Sequence, residues 1–519
     1  MKINKAALII PPIRDFYFTP HRFSALGAQI VKEILEKESI EVNLFNFPQL
    51  KSGGYSIALP KELSYLNDFI IENERGKTTF FTKYKQFGPP VEDCARQILS
   101  VSPDICFISC FAFCYAAPAL ELAKIIKVTK PDITIVFGGA GVSAYPEYFL
   151  RSQYVDYTLS GEAEISLSDF IRYIRADSLL KTDIANLGWK EKISIRFSEK
   201  KEFTKSTDIR IPFSVTMEKN RTSFVSTSIS RGCNRRCRFC SNHLTHGTSF
   251  RITTAAKFKT FFDSTFKDKK PSSIRLNFED DNLLNDYECF VEIMKYVISR
   301  FPDVSFYAEN GIDYRHLTPQ RCRELIALGM KQFNFTLGSV NKSLLYEERR
   351  ETDLDLYSTI VNEITSYKIP VITYFICGFA DETVESLAST IAFLHSKPTQ
   401  IGISMFYPVP GIAGYKDRKL FNNIPPALCA GSSAYSWNNS LSTGTMITAF
   451  RLSRLCNMMK SVDLNDQEKD LIRLFFETGK IYTFVKDNYK KLNLYEVPGM
   501  DGEILKEFTR KINLFANKG

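Results

Sequence analysis

Three residues able to do chemistry stand within eight positions: Cys233, Cys237 and Cys240, spaced Cys-x3-Cys-x2-Cys in Ser230-Arg231-Gly232-Cys233-Asn234-Arg235-Arg236-Cys237-Arg238-Phe239-Cys240. A loop this short brings three thiolates to one point. The number is informative. Four ligands close a structural zinc or an electron-transfer cluster, whereas an iron–sulfur cubane held by three cysteines keeps one iron open to a substrate. Four arginines in the segment, Arg231, Arg235, Arg236 and Arg238, offset the negative charge of thiolates and cluster. The alternative is a zinc knuckle that adds His243 or His246. A structural zinc, however, does not need a place directly after the first strand of a βα series.

The scaffold that must position this loop is large. A chain of 519 residues suggests two or three domains, and 44% hydrophobic with 24% charged residues is a globular balance. Lys plus Arg number 67 against 58 Asp plus Glu, a net charge of +9. That excess suits an anionic substrate or cofactor. No dense Lys/Arg stripe points to nucleic acid. The opening MKINKAALIIPP has a short apolar run that ends at Pro-Pro, so it is expected to be a first strand and not a signal peptide. The apolar stretch 105–120 falls short of the ~20 residues a span needs and contains Pro118. The expectation is a cytoplasmic protein without a membrane span. Nine of the 12 cysteines are scattered, as buried free thiols are.

The fold class expected is α/β. Residues 1–175 alternate short apolar runs (6–10, 42–45, 105–109, 133–137, 157–160) with helical patterns, the sign of a doubly wound parallel sheet. An insertion, roughly 48 to 90, interrupts it. Residues 176–221 read as a linker with a hairpin. Over 222–412 strands recur every ~30 residues (224–228, 274–278, 304–308, 332–337, 371–377, 402–407), which predicts a partial six-unit βα barrel with its site at the strands' C-terminal ends. Residues 413–519 are expected to be helical.

With a strand before it and the aromatic Phe239 inside it, the cysteine loop resembles the CxxxCxΦC motif of the radical S-adenosylmethionine (SAM) superfamily. The resemblance implies a 4Fe–4S cluster on Cys233, Cys237 and Cys240, with SAM bound beside it. It further implies SAM contacts from Phe239, from Glu279, Asp280 and Asp281 after strand two, and from Ser339 after strand four. Arg349 or Arg350 would pair with the SAM carboxylate. Tyr374-Phe375-Ile376-Cys377-Gly378-Phe379-Ala380-Asp381 resembles the family's GxIxGxxE strand, with Tyr374 for the first Gly and Asp381 for the Glu. Ile376 and Gly378 would then meet the adenine.

The N-terminal block resembles the cobalamin-binding domain that precedes many such enzymes. The matching residues are Gly138-Gly139-Ala140-Gly141 and Ser160-Gly161-Glu162 at strand ends. The implied cobalamin contacts are Pro12, Cys110, Tyr115, Gly138, Gly139, Gly141, Gly161 and Glu162. No Asp-x-His-x-x-Gly occurs, so cobalamin is expected to lack a histidine ligand to cobalt. The resemblance implies a radical SAM enzyme that generates a 5′-deoxyadenosyl radical. Within that class a cobalamin-dependent C-methyltransferase on an unactivated carbon is expected first. Cyclisation, rearrangement or other carbon–carbon bond formation with a vestigial cobalamin domain is second, and a non-catalytic metal- or corrin-binding protein third. Implied partners are a small-molecule or peptide substrate and an external electron donor such as flavodoxin or ferredoxin.

Overall fold

The computed structural model describes residues 3–18, 24–50, 54–81, 83–175, 179–217, 221–268 and 271–516. The chain forms two compact units. The first comprises 1–58, 84–304 and 408–429, and the second 59–83, 305–407 and 430–519.

In the first unit, β1 (Lys5–Ile10), β2 (Glu41–Asn46), β3 (Ile105–Ser109), β4 (Thr134–Gly138) and β5 (Tyr157–Leu159) are parallel, in the order β2-β1-β3-β4-β5. β1 and β3 are apolar along nearly their whole length because both of their faces are covered. The strand order reverses between β1 and β3, and ligand crevices of open sheets lie at such a reversal. Helices α1 (Leu26–Lys37), α2 (Ala116–Thr129), α3 (Ala140–Ala144) and α4 (Ala163–Ile174) accompany the strands. Ile30, Ile34 and Leu35 of α1 share one core with Leu167, Phe170 and Ile171 of α4 and with Leu8 and Phe107 beneath them.

The hairpin β6 (Leu187–Glu191) and β7 (Ser194–Phe197) extends this sheet antiparallel from β5. β8 (Phe213–Met217) pairs antiparallel with β9 (Thr222–Thr227), which runs parallel to β10 (Ser273–Phe278). The cysteine loop leaves β9. A two-residue pairing of Ser230–Arg231 with Arg251–Ile252 closes its base, and α5 (Asn242–His246) lies between.

In the second unit, β11 (Phe333–Gly338), β12 (Val371–Cys377) and β13 (Gln400–Met405) form a parallel sheet. All six expected barrel strands occur, with Val304–Tyr307 falling at the division between units. Helices α6 (Val384–His395), α7 (Thr443–Met459), α8 (Asp466–Thr478) and α9 (Gly502–Ala516) follow. The C-terminal region is not wholly helical as expected. Its β14 (Tyr482–Lys486) and β15 (Leu492–Glu496) form a hairpin, with Glu74–Arg75 as third strand. The buried Arg451 fixes that distant strand by donating to both carboxylate oxygens of Glu74. No helix among the described residues is long and apolar enough to cross a membrane.

Candidate functional site

The cysteine loop is held by the two aspartates that follow β10. One oxygen of buried Asp280 accepts the N–H groups of Ile229 (3.0 Å) and Ser230 (2.6 Å) and the Ser230 hydroxyl (2.5 Å). One oxygen of Asp281 accepts the Gly232 N–H at 2.7 Å and lies 2.8 Å from Nδ1 of His246. Gly232 has φ +77°, and a Cβ there would lie 2.3 Å from the Ser249 carbonyl, so no side chain fits. Arg231 is buried as a structural donor to the Ser228 hydroxyl (2.8 Å) and the Ser230 carbonyl (2.9 Å).

Burial raises the Cys233 thiol and pushes that of Cys240 up to about 11, while Cys237 is buried between them. Iron reverses this cost because a coordinated thiol is deprotonated outright. Among the described residues, no three His, Cys, Asp or Glu side chains converge as a single metal ion requires. Nδ1 of His243 lies 3.0 Å from the Cys240 carbonyl, and Nδ1 of His246 faces Asp281, so the rings of both are engaged within the loop. Three thiols on one loop are the ligand set that a cubane with an open iron takes.

Burial pushes Asp280 from 3.8 up to about 6, against its hydrogen bonds from Ser230 and Ile229. A raised folded value favours folding below the ordinary carboxylate range, and that contribution is lost as pH rises through about 6. Asp280→Asn is therefore expected to gain stability relative to wild type between about pH 4 and pH 6, and to hold that gain above. Urea midpoints across this range check it, and parallel curves would refute it.

A cavity of about 370 Å³ opens in the first unit at the C-terminal ends of β1, β3, β4 and β5. Gly138, Gly139, Gly161 and Glu162 line it, while Pro12, Cys110, Tyr115 and Gly141 do not. Each of those four is occupied elsewhere. The Tyr115 hydroxyl donates to Asp15 at 2.6 Å, and the buried Cys110 thiol donates to the Ala112 carbonyl at 3.2 Å. Pro12 is buried near Gly88, and a Cβ on Gly141 would lie 2.6 Å from the Ala112 carbonyl carbon. Glu162 borders the cavity, but its carboxylate accepts from both terminal nitrogens of Arg251 (2.9 and 3.0 Å) and from the Thr204 N–H (2.7 Å). Ser166 Oγ and Glu164 Oε1, on residues that also line the cavity, are buried without hydrogen-bond partners among the described residues. An apolar floor with unpaired polar atoms at its edge suits a large ring with polar substituents, as a corrin is. Glu279 lines the same cavity and accepts from the Ser24 hydroxyl at 2.7 Å.

The remaining SAM candidates fall in two groups. Half-buried Phe239 lies in the cysteine loop with Glu279, Asp280 and Asp281 in the same unit. The others belong to the second unit. The buried Ser339 hydroxyl accepts the Asn341 N–H and shares a hydrogen bond with Thr390, both at 3.2 Å, so it caps a turn. Arg349 is exposed, whereas Arg350 donates to the carbonyl (2.6 Å) and hydroxyl (2.7 Å) of Thr336 at the end of β11. Ile376 is half-buried on the β12 face that also carries Tyr374. Gly378, at φ +98°, donates its N–H to Glu382 at 2.7 Å. Glu382, not the exposed Asp381, therefore closes this turn, one residue later than the motif spacing implies. Burial pushes Glu382 up to about 8. The sequence signal for it is its place just before Thr383, the N-cap of α6.

The radical SAM superfamily profile matches residues 227–394. The chain is 24% identical over 334 residues to the uncharacterized methyltransferase PH0819 of Pyrococcus horikoshii, covering 62% of this chain and 70% of that one. It is 24% identical over 196 residues to the bacteriochlorophyllide d C-12(1)-methyltransferase of Chlorobaculum tepidum, covering 37% and 41%. The fold is similar to that of TsrM, a radical SAM methyltransferase from Kitasatospora setae solved with tryptophan substrate and a SAM analogue. There the TM-score is 0.58 at 15% identity, over 80% of this chain and 75% of that one. The cobalamin-dependent SAM radical enzyme OxsB, solved with aqua-cobalamin, gives a TM-score of 0.55 at 14% identity, over 90% and 63%.

Proposed function

From the premise that this chain is a radical SAM enzyme, with a cobalamin-binding-like domain ahead of its radical SAM domain, we propose that it is a cobalamin-dependent C-methyltransferase. Its substrate is an unactivated carbon of a small molecule or peptide. The observation that carries this reading is the crevice at the strand ends of β1, β3, β4 and β5, whose lining includes Arg231, His246 and Glu279 beside the cysteine loop. The relatives' names support methyl transfer. When bound, the cluster supplies an electron, SAM the radical and the methyl group, and cobalamin the methyl carrier.

The chain's own residues hold and orient these groups. Cys233, Cys237 and Cys240 hold the cluster. Asp280 and Asp281 fix the loop that carries them. The apolar cavity floor excludes water from the corrin. The twelve free cysteines suit a reducing cytoplasm, where a flavodoxin or ferredoxin would be the electron donor.

The test is anaerobic reconstitution of protein produced with a cobalamin supply, followed by assay with methyl-deuterated SAM. Bound cobalamin, 5′-deoxyadenosine and a deuterated methyl group on product are expected. A preparation that forms 5′-deoxyadenosine yet binds no cobalamin would overturn the methyltransferase reading in favour of cyclisation or rearrangement.

A further inference from the structure

We propose that the second unit carries a binding site for a polyphosphate-bearing small molecule of nucleotide size, in a cleft at the N-terminal ends of β12 and β13. The cleft has a volume of about 600 Å³, within the range of small-molecule sites. Val371 at the start of β12 and Gln400 at the start of β13 border it. Gly378 and Glu382 stand at the opposite, C-terminal end of β12, where the chemistry of a βα barrel belongs. An occupant of the cleft is therefore not the reacting substrate.

Four cationic side chains from three separate segments line the cleft: Lys77, Lys397 after α6, Arg454 on α7 and Lys460 at its end. Among the described residues, no Asp or Glu lines it. The Lys460 ammonium donates to the carbonyls of Leu394 (2.6 Å) and Thr399 (2.7 Å), which uses two of its three N–H groups. It has no carboxylate partner among the described residues, and burial lowers it to about 8. Lys397 also lacks a carboxylate partner there, and its ammonium lies 5.0 Å from the centre of the Phe393 ring. Lys77 pairs with Glu468 of α8 at 2.9 Å.

Capping of helix ends does not account for this much charge. The C-terminal ends of α6 and α7 supply about half a unit of negative charge each. With Glu468 added, they stand against three lysines, so about one positive charge is left before Arg454 is counted. A partly buried ammonium without a counter-ion is unfavourable, and an anion entering the cleft supplies one. Ammonium groups act on phosphate oxygens as point charges. Pro398 and Met458 offer apolar surface to the rest of such a molecule.

The test is calorimetric titration of the cluster-reconstituted full chain, at saturating SAM, with pyrophosphate, GTP and sulfate at equal ionic strength. GTP avoids the adenine that SAM itself carries. Saturable binding of pyrophosphate and GTP is expected, both tighter than sulfate and GTP the tightest. The Lys397 side chain makes no hydrogen bond among the described residues, so its replacement leaves the fold intact. Lys397→Gln should weaken both polyphosphates about tenfold, the lower end of the range for hydrogen bonds to charged groups, and Lys397→Glu should abolish binding. Iron content and 5′-deoxyadenosine formation should match wild type in both variants. Lys460→Gln should also weaken binding, with its urea midpoint measured alongside because two carbonyl contacts are lost. Hydrogen exchange over 394–401 and 454–461 should slow when GTP is added. No saturable binding of either polyphosphate, affinities equal to that of sulfate, or binding untouched by Lys397→Glu would overturn the proposal.

Discussion

Replacing Cys233, Cys237 and Cys240 together by alanine is expected to leave the chain without iron and without 5′-deoxyadenosine formation. The three thiols are the only cysteines of the loop held by Asp280 and Asp281, and a cubane with two or fewer protein ligands is lost to solvent and reductant. Cys289→Ala and Cys456→Ala are the controls. Cys456 is buried, its thiol raised to about 12 by desolvation, and Cys289 sits at the start of its helix, raised to about 11 by the same cause. Both variants should keep the iron content of wild type. Iron and acid-labile sulfide analysis after anaerobic reconstitution decides the matter. Equal iron in the triple variant and wild type would remove the basis of the cluster assignment.

Glu162→Ala is expected to destabilise the first unit by about 3–5 kcal/mol, the range for leaving one member of a buried ion pair unpaired. The pair is nearly sealed, with side-chain exposures of 11% for Arg251 and 2% for Glu162. Without the carboxylate, the Arg251 guanidinium keeps carbonyl partners at Thr204, His246 and Ser249 and the face of the Phe203 ring, none of which carries a negative charge. The same loss should loosen the base of the cysteine loop, because Arg251 pairs there with Arg231 in the two-residue ladder. Reduced iron retention should therefore accompany the lowered urea midpoint. Glu162→Gln, which keeps acceptors but not charge, should fall between. A loss below about 1 kcal/mol would mean the pair is effectively solvated. The residue's sequence neighbours suggested a corrin contact, but its carboxylate has this structural task first.

The local pattern carried much of the outcome. Spacing alone placed three thiols on one loop after a strand, and apolar runs separated by helical periods placed β1 to β5 and the parallel strands β9 to β13 within a few residues. C-terminal helices at 443–459, 466–478 and 502–516 also follow from periodicity. Such features depend on neighbours within a turn or two, and side-chain period reports them directly.

The hairpin β14–β15 escaped that reasoning. Leu492–Glu496 is exposed along its whole length, and the pairing is completed by Glu74–Arg75 from a distant insertion. Likewise the motif count put Asp381 where the turn uses Glu382, because hydrogen-bond reach to the Gly378 N–H depends on the turn's backbone path and not on spacing.

By itself, then, the sequence set three cysteines on one short loop, the alternation of strands and helices, and the kind of cofactor chemistry that resemblance implies. Tertiary structure alone decided what the polar residues around them do. His246 and Asp281 stand 35 residues apart, and Glu162 and Arg251 stand 89 apart. They meet only because β10 lies beside β9, and because the cysteine loop folds back over the ends of the N-terminal sheet. Contacts of that range leave no periodic trace in a chain, since each partner is compatible with many solvated positions until packing removes the water around both.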